Sequence, residues 1–389
     1  MRILTSLYYY RPHYSGLTVY TERLARTLAA RGHEVTILTS RYDRQLPPLE
    51  QRDGVTVKRL PVAFRLSKGV ILPTMLYWGT RLAASHDVIH LHVPQLDAAP
   101  LALAGRALGR PVVLTYHCDL RLPPSPLNWL AGKASRAADS ISVRAAHAVV
   151  ANTRDYAEAS PFLRRFLWKL VVIPPPVEVA SPAPAVVGSA RARWGIRPGE
   201  RLIGMAARLA TEKGAEVLAH AMPRVLEQFP KARVLYVGQY LNVLGEEEYA
   251  RKLEPLLHSL GDHWTFLGVL SDDELAAFYT LCEVTVLPSL NSTESFGMVQ
   301  VESMLSGTPV VASDIPGVRE PTTRTGMGRT VPPGDAGALA EAIIQILGSA
   351  KELRGDPGSL KRYSSESVAE EYERLFERLR SGKGPLQRE

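Results

Sequence analysis

What most restricts the fold of this chain is a repeating pattern that stops once and then resumes. Short apolar runs alternate with amphipathic stretches from the N-terminus onward, as far as Pro174-Pro-Pro-Val-Glu-Val-Ala-Ser-Pro-Ala-Pro184. Five prolines in eleven residues fix φ and remove backbone donors, so neither a strand nor a helix runs through them. Alternating strand and helix patterns specify parallel sheets flanked by helices. The expectation is an α/β protein with one parallel sheet in each half, and 389 residues suit two domains better than one. Residues 1–173 form the first domain, 174–187 the linker and 188–360 the second. A last helix is expected over 361–380 from the spacing of Val368, Tyr372, Leu375 and Leu379, packing back toward the first domain.

In the first half the predicted strands are Arg2–Leu7, Glu34–Thr39, Val88–His92, Val112–Tyr116, Ala148–Ala151 and Leu170–Ile173. A helix joins the first two; Val19, Leu24 and Leu28 carry its apolar face and Gly32 ends it. In the second half the strands are Leu202–Ala206, Arg233–Val237, Thr265–Leu267, Val284–Leu287 and Val310–Ala312. Helices are expected at 214–229, 272–281, 296–306 and 336–348.

Composition excludes several classes. No apolar run approaches the roughly 18 residues a membrane span requires. Met1–Leu7 reads as a buried strand and not as a signal peptide. Cys118 and Cys282 lie far apart without metal-ligand spacing, so two free thiols and a reducing cytoplasm are expected. Residues 1–187 carry 23 Lys and Arg against 12 Asp and Glu, whereas the rest carries 23 against 27. The basic half is expected to face an anion: an acidic membrane surface, a lipid phosphate or a phosphorylated acceptor. Nucleic acid is not expected, because no basic run interleaves with aromatics.

Candidate chemistry gathers where loops follow strands, the ligand-binding edge of open α/β sheets. Glu294-Ser-Phe-Gly-Met-Val-Gln-Val-Glu302 sets one carboxylate before a predicted helix start and another about two turns into it. The N–H groups of Ser295, Phe296 and Gly297 would face an anion at the positive end of that helix. From Phe296 to Glu302 the helix rises about 9 Å, close to the span from a diphosphate to its ribose. A capped helix with a glutamate at its buried edge fits the same residues. Arg208 and Lys213, in Ala207-Arg-Leu-Ala-Thr-Glu-Lys-Gly214, would pair with a diphosphate at the same sheet edge, or else stand as solvated loop cations. Gly16 opens the first loop-to-helix turn, and His117 and Asp119 follow an apolar strand. Each also has an ordinary structural explanation. There is no D-x-D, no G-x-G-x-x-G fingerprint and no His, Cys and carboxylate spacing that suggests a metal cage.

Taken in order, these pieces resemble the retaining glycosyltransferases of family 4, from residue 1 to about 380. They are Gly16, Arg31-Gly-His-Glu-Val35, Thr115-Tyr-His-Cys-Asp119, Arg208 with Lys213-Gly214, and Glu294-Ser-Phe-Gly297 with Glu302. Gly307-Thr-Pro-Val-Val-Ala312 and Gly317-Val-Arg-Glu320 complete the series. The resemblance implies a GT-B fold, two Rossmann-like doubly wound domains facing across a cleft. It implies that Arg208 and Lys213 hold the donor diphosphate and stabilise its developing charge. Glu294 would bind the donor sugar, Glu302 the ribose, and the amides of Phe296, Gly297, Met298 and Val299 the sugar and phosphates. Leu270 would meet the base through its backbone, Gly16 would approach the phosphates, and His117 would contact the sugar or the reacting centre. Three positions depart from the family pattern: Ser15 replaces a first glycine, Pro175-Pro176 an Asn-Gly, and Pro316-Gly317 a Gly-Gly.

The implied activity is hexosyl transfer with retention, without a metal or other cofactor, from a nucleotide-diphosphate sugar. UDP-sugars are expected first and GDP-sugars second. The acceptor is expected to be lipid-linked or phosphorylated, in cell-envelope polysaccharide or glycolipid synthesis, with the protein cytoplasmic and peripheral at the inner membrane face. Loops 41–53, 62–75 and 119–135 would choose the acceptor. Epimerases and phosphorylases with the same two-domain layout are the alternative enzymes. A non-catalytic sugar-nucleotide-binding protein is the alternative outside catalysis.

Overall fold

The computed structural model describes residues 1–66, 69–120, 126–243, 245–349 and 356–384. It divides into two units, Met1–Pro176 with Tyr363–Glu389, and Val177–Arg362. The central strands of each, such as β7, β8, β11 and β14, are buried on both faces, the signature of parallel sheets covered by helices.

Unit 1 begins β1 (Arg2–Ser6), α1 (Gly16–Ala30), β2 (Glu34–Arg41), β3 (Leu49–Arg52), β4 (Val55–Pro61). A small hairpin of β5 (Phe64–Leu66) and β6 (Gly69–Ile71) follows, then α2 (Met75–Ser85), β7 (Val88–Val93), α3 (Ala98–Ala107) and β8 (Val112–Tyr116). The run ends α4 (Pro126–Ala145), β9 (Ala148–Ala151), α5 (Arg154–Ala159) and β10 (Leu170–Val172). The main sheet has the order β10-β9-β8-β7-β1-β2-β4-β3. Its neighbours are parallel except β3 and β4. Strand order reverses between β1 and β7. The antiparallel pair closes on Asp53-Gly54, both at positive φ, a hairpin signal inside what the sequence presents as loop 41–53. Loops 62–75 and 119–135 likewise contain the β5–β6 hairpin and the first turns of α4; residues 67–68 and 121–125 lie outside the described residues.

Unit 2 begins with α6 (Pro184–Arg193), so the stretch expected as linker already contains a helix start, with proline tolerated in its first turn. Then come β11 (Arg201–Ala206), α7 (Ala215–Gln228), β12 (Ala232–Val237), α8 (Glu247–Ser259), β13 (Trp264–Gly268), α9 (Asp272–Leu281) and β14 (Val284–Leu287). The unit ends α10 (Met298–Leu305), β15 (Val310–Ser313), α11 (Arg319–Thr325), β16 (Gly328–Val331) and α12 (Ala336–Ser349). The sheet order is β13-β12-β11-β14-β15-β16, all parallel, and it reverses between β11 and β14. Separate apolar clusters cover its two faces, one gathered around Leu218, Met222 and Ile343, the other around Phe278 and Leu235.

The chain then returns to unit 1 as α13 (Ser365–Arg380), capped by Ser364. Val368, Tyr372, Leu375 and also Phe376 are buried, and the helix packs on α1. Arg31 and His33, at the end of α1, both bind Glu373 of α13, at 2.6 and 3.1 Å. That gives the Arg31-Gly-His motif a structural duty.

Candidate functional site

In unit 2 the site lies at the carboxyl ends of β11 and β14, the point where strand order reverses. Such a reversal leaves a crevice, because the crossover helices on either side go to opposite faces. The loop after β11 carries Arg208 and Lys213; the loop after β14 carries Glu294. Backbone contacts join the two loops, with Leu290 N–H donating to Glu212 O at 2.9 Å. Gly214 makes the approach possible. It sits at φ 70°, and a Cβ there would lie 2.0 Å from the Pro288 carbonyl oxygen.

The result is a close ion pair between Lys213 Nζ and Glu294 Oε2 at 2.6 Å, with 22% and 16% of the side chains exposed. Arg208 pairs with Glu212, one helical turn away in sequence, at 3.3 Å, and is more open at 41%. Asn291 shapes the loop by accepting from Thr293 N and Oγ1 and by accepting Glu294 N–H at its carbonyl. Two ion pairs, Arg208–Glu212 and Lys213–Glu294, thus stand on joined loops at one sheet edge.

The helix after Glu294 starts later than the sequence pattern predicts. α10 runs from Met298 and not from 296, with Gly297 as its N-cap at φ 79°. Only glycine fits, since a Cβ would lie 2.3 Å from Leu287 Cδ2 and 2.8 Å from Gln300 Nε2. The amides of Met298 and Val299 are therefore the first of the helix, without intrahelical acceptors. Ser295 and Phe296 belong to the loop before it. Four residue steps separate Met298 from Glu302, about 6 Å of rise and not the 9 Å expected.

Two side chains that the sequence does not single out brace this segment. Gln300, 1% exposed, donates from Nε2 to Phe296 O at 2.8 Å and Val318 O at 2.9 Å, and accepts from Thr322 Oγ1 at 3.0 Å. Tyr279 of α9, fully buried, donates to Glu302 Oε2 at 2.9 Å. Tyr279 reads locally as one more apolar-face residue of α9, and only the packing of α9 on α10 gives its hydroxyl a partner. Leu270 follows β13 at the same edge of the sheet and packs against the Phe278 cluster.

In unit 1, Gly16 is the first residue of α1 and Ser15 is its cap, accepting from Thr18 N at 3.2 Å. The departure from a glycine pair is thus a helix-capping choice. His117 leaves β8 with its N–H bonded to Val93 O at 3.0 Å and its Nε2 2.8 Å from His92 Nδ1. Burial lowers the pKa of both imidazoles. Asp119 turns back into the unit, accepting from Tyr116 OH and Ser160 Oγ at 2.8 Å each. Among the described residues no group of three or more His, Cys, Asp or Glu is arranged to hold a metal ion.

Two doubly wound sheets in one chain, parallel apart from the β3–β4 pair, make a GT-B fold. Residues 188–359 match the family described as glycosyl transferases group 1, and residues 15–176 match the glycosyl transferase 4-like domain. The D-inositol 3-phosphate glycosyltransferase of Stackebrandtia nassauensis is 33% identical over 331 residues, covering 78% of this chain and 72% of its own. The phosphatidyl-myo-inositol mannosyltransferase of Mycobacterium leprae is 28% identical over 389 residues, covering 96% and 95%. Among solved structures, Anabaena Alr3699/HepE in complex with UDP-glucose superposes with a TM-score of 0.77 at 21% identity, covering 97% of this chain and 99% of that one. The chain belongs to the family 4, group 1 glycosyltransferases.

Proposed function

We propose that this glycosyltransferase moves a hexose from a nucleoside-diphosphate sugar, UDP-linked before GDP-linked, to a hydroxyl of a phosphorylated or lipid-linked acceptor, with retention and without a metal. The observation that carries this is the Lys213–Glu294 pair at the β11–β14 reversal, beside the opening amides of α10. A diphosphate leaving group gathers negative charge as its bond to the anomeric carbon breaks. Arg208, Lys213 and the amides of Met298 and Val299 are fixed positive ends for that charge. Glu294, released from Lys213 by the incoming phosphate, turns to sugar hydroxyls, and Glu302, oriented by Tyr279, accepts from ribose. Gly16 and His117 keep the roles the family resemblance gives them, toward the phosphates and the sugar. Leu270 keeps its role at the base.

In this scheme the acceptor oxygen attacks on the face the phosphate leaves. The new C–O bond forms as the old one breaks, and the acceptor proton passes to the departing phosphate oxygen. No carboxylate nucleophile is required.

The acceptor class follows from charge and from the names of the relatives, one acting on an inositol phosphate and the other on a phosphatidylinositol. In unit 1, α2, α3 and α4 pack side by side and carry Arg81, Arg106, Lys133, Arg136 and Arg144 against a single acid, the buried Asp139. Leu76, Tyr77, Trp129 and Leu130 on α2 and α4 are exposed. Apolar and aromatic tips among cations suit an anionic bilayer surface. No helix among the described residues is long and apolar enough to cross a membrane.

A thermal-shift screen against UDP, GDP, ADP and their sugars identifies the donor by mass action. Incubation of the labelled donor with inositol phosphate and with phosphatidylinositol vesicles then tests transfer. Label joined to either acceptor supports the proposal. Label returned as an isomerised donor or as sugar phosphate would favour an epimerase or phosphorylase. Tight donor binding without turnover on a broad acceptor panel would favour a binding protein. Equal sedimentation with anionic and neutral vesicles at low salt would remove the membrane surface.

A further inference from the structure

Three imidazoles meet in unit 1, His90 and His92 buried and His117 partly exposed, and the donor chemistry above uses only one of them. His90 and His92 lie two apart on β7 and so share a face of the sheet. His117 follows the neighbouring strand β8. The rings of His92 and His117 lie edge to edge, centroids 5.1 Å apart and planes 22° apart, with His92 Nδ1 2.8 Å from His117 Nε2. His90 packs against His92 at 4.3 Å and bonds Thr115 Oγ1 at 2.7 Å. Thr115 Oγ1 is 2.7 Å from the hydroxyl of Tyr372 on α13, which is 2.7 Å from the hydroxyl of Tyr20 on α1. The Tyr20 ring in turn stands edge-on to His117 at 4.9 Å and 89°. His117 is therefore held on two sides, by a hydrogen bond from β7 and by a ring that α13 fixes.

The direction of the His92–His117 bond can be read from what surrounds it. Burial lowers the pKa of both rings and so favours the neutral form, with one proton on each. His92 Nε2 is buried with no hydrogen-bond partner. If His117 donated from Nε2, the proton of His92 would sit on that isolated nitrogen, as a buried N–H without an acceptor. If His92 donates from Nδ1, Nε2 keeps only a lone pair. Orphaned buried N–H groups are rarer than under-satisfied acceptors. We infer that His92 is a positioning residue: it donates from Nδ1 to His117 Nε2, holds His117 in its Nδ1–H tautomer, and so makes His117 a hydrogen-bond donor toward the transferred group. This rests on the proposal that His117 contacts the sugar.

The test uses the full-length chain with ¹⁵N-labelled histidine and long-range ¹⁵N–¹H correlation, which reports each ring tautomer directly. The expected wild-type result is a proton on Nδ1 of His117. His92→Phe keeps a flat ring but has no donor, so His117 is expected to populate both tautomers. Its kcat should fall roughly three- to tenfold, the size expected for one lost neutral hydrogen bond, with donor KM within about twofold. His92→Asn returns an N–H near the Nδ1 position and is expected to restore both the tautomer and most of the rate. A proton on Nε2 of His117 in the wild type, or no tautomer change in His92→Phe, overturns the inference. A changed tautomer with unchanged kcat overturns the positioning role. Should His92→Phe fail to fold, the wild-type spectrum alone decides the tautomer, and His92→Leu takes its place in the rate comparison. Undiminished turnover in His117→Ala would instead remove the role proposed for His117, whatever its tautomer.

Discussion

Replacing Lys213 by Met separates the charge of this residue from its bulk. The Nζ–Oε2 distance of 2.6 Å, with 22% and 16% exposure, puts the pair with Glu294 between two limits. Exposed pairs contribute about 0–1 kcal/mol, and breaking a buried pair costs about 3–5 kcal/mol. A loss of about 1–2 kcal/mol is expected for Lys213→Met. For a domain of this size that corresponds to a melting point lower by about 2–8 °C. The effect on catalysis should be larger. A fixed positive charge against a leaving diphosphate is worth about 2.7–4 kcal/mol of barrier, or about 100- to 1000-fold in kcat. The assay is release of nucleoside diphosphate at saturating donor, beside thermal unfolding and calorimetric binding. Affinity for the nucleoside diphosphate should fall while affinity for the uncharged nucleoside stays level. A kcat within about threefold of wild type, or equal losses for nucleoside and diphosphate, would refute a role for the ammonium in charge stabilisation and leave the pair as a structural bridge between loops.

Three further outcomes follow from the geometry. Tyr279→Phe removes the hydroxyl bonded to Glu302 at 2.9 Å, and donor KM should rise roughly 10- to 150-fold with kcat little changed, the cost of about 1.5–3 kcal/mol in one hydrogen bond to a charged group; an unchanged KM would count against Glu302 as the ribose acceptor. Gly297→Ala puts a methyl group 2.3 Å from Leu287 at φ 79° and should cost at least about 2 kcal/mol in denaturant unfolding; a loss below about 0.5 kcal/mol would show that the turn is not held as described. Burial holds His90, His92 and His117 below their ordinary pKa, so the unfolded chain takes up these protons first and stability falls as pH drops below about 6.5, by up to about 1.4 kcal/mol per pH unit for each. Burial raises Asp97 to about 6 and Asp139 to about 7, which acts in the opposite sense: the folded chain keeps protons there that the unfolded chain releases, so stability rises as pH falls toward about 4. Asp139→Asn removes one of these offsets and should steepen the acid loss between pH 6 and 4.5; parallel stability curves would contradict it.

The alternation of apolar runs with helical stretches specified two parallel sheets, because a strand buried on both faces is apolar along most of its length. Val112–Tyr116 and Val284–Leu287 are legible in that way, and so is α9 with its capping box at Ser271 and Glu274. The order of Arg208, Lys213, Glu294 and Glu302 along the chain marks the family, since the spacing of loops after strands is a property of the sequence itself. Polar edge strands escaped: β16 is a Gly-Arg-Thr-Val strand paired with β15 and anchored by Val331, and β3 looks like part of a polar loop until Asp53-Gly54 turns it back onto β4.

Which side chains touch was decided by tertiary structure. Lys213 and Glu294 are 81 residues apart, Tyr279 and Glu302 23, and Thr115 and Tyr372 257. Period two or period 3.6 assigns a residue to a face but carries no information about what packs on that face. The start of α10 shows the same division. The sequence pattern placed the helix start at 296, yet Gly297, at φ 79° and packed where a Cβ would meet Leu287 and Gln300, caps the helix so that its first turn begins at Met298.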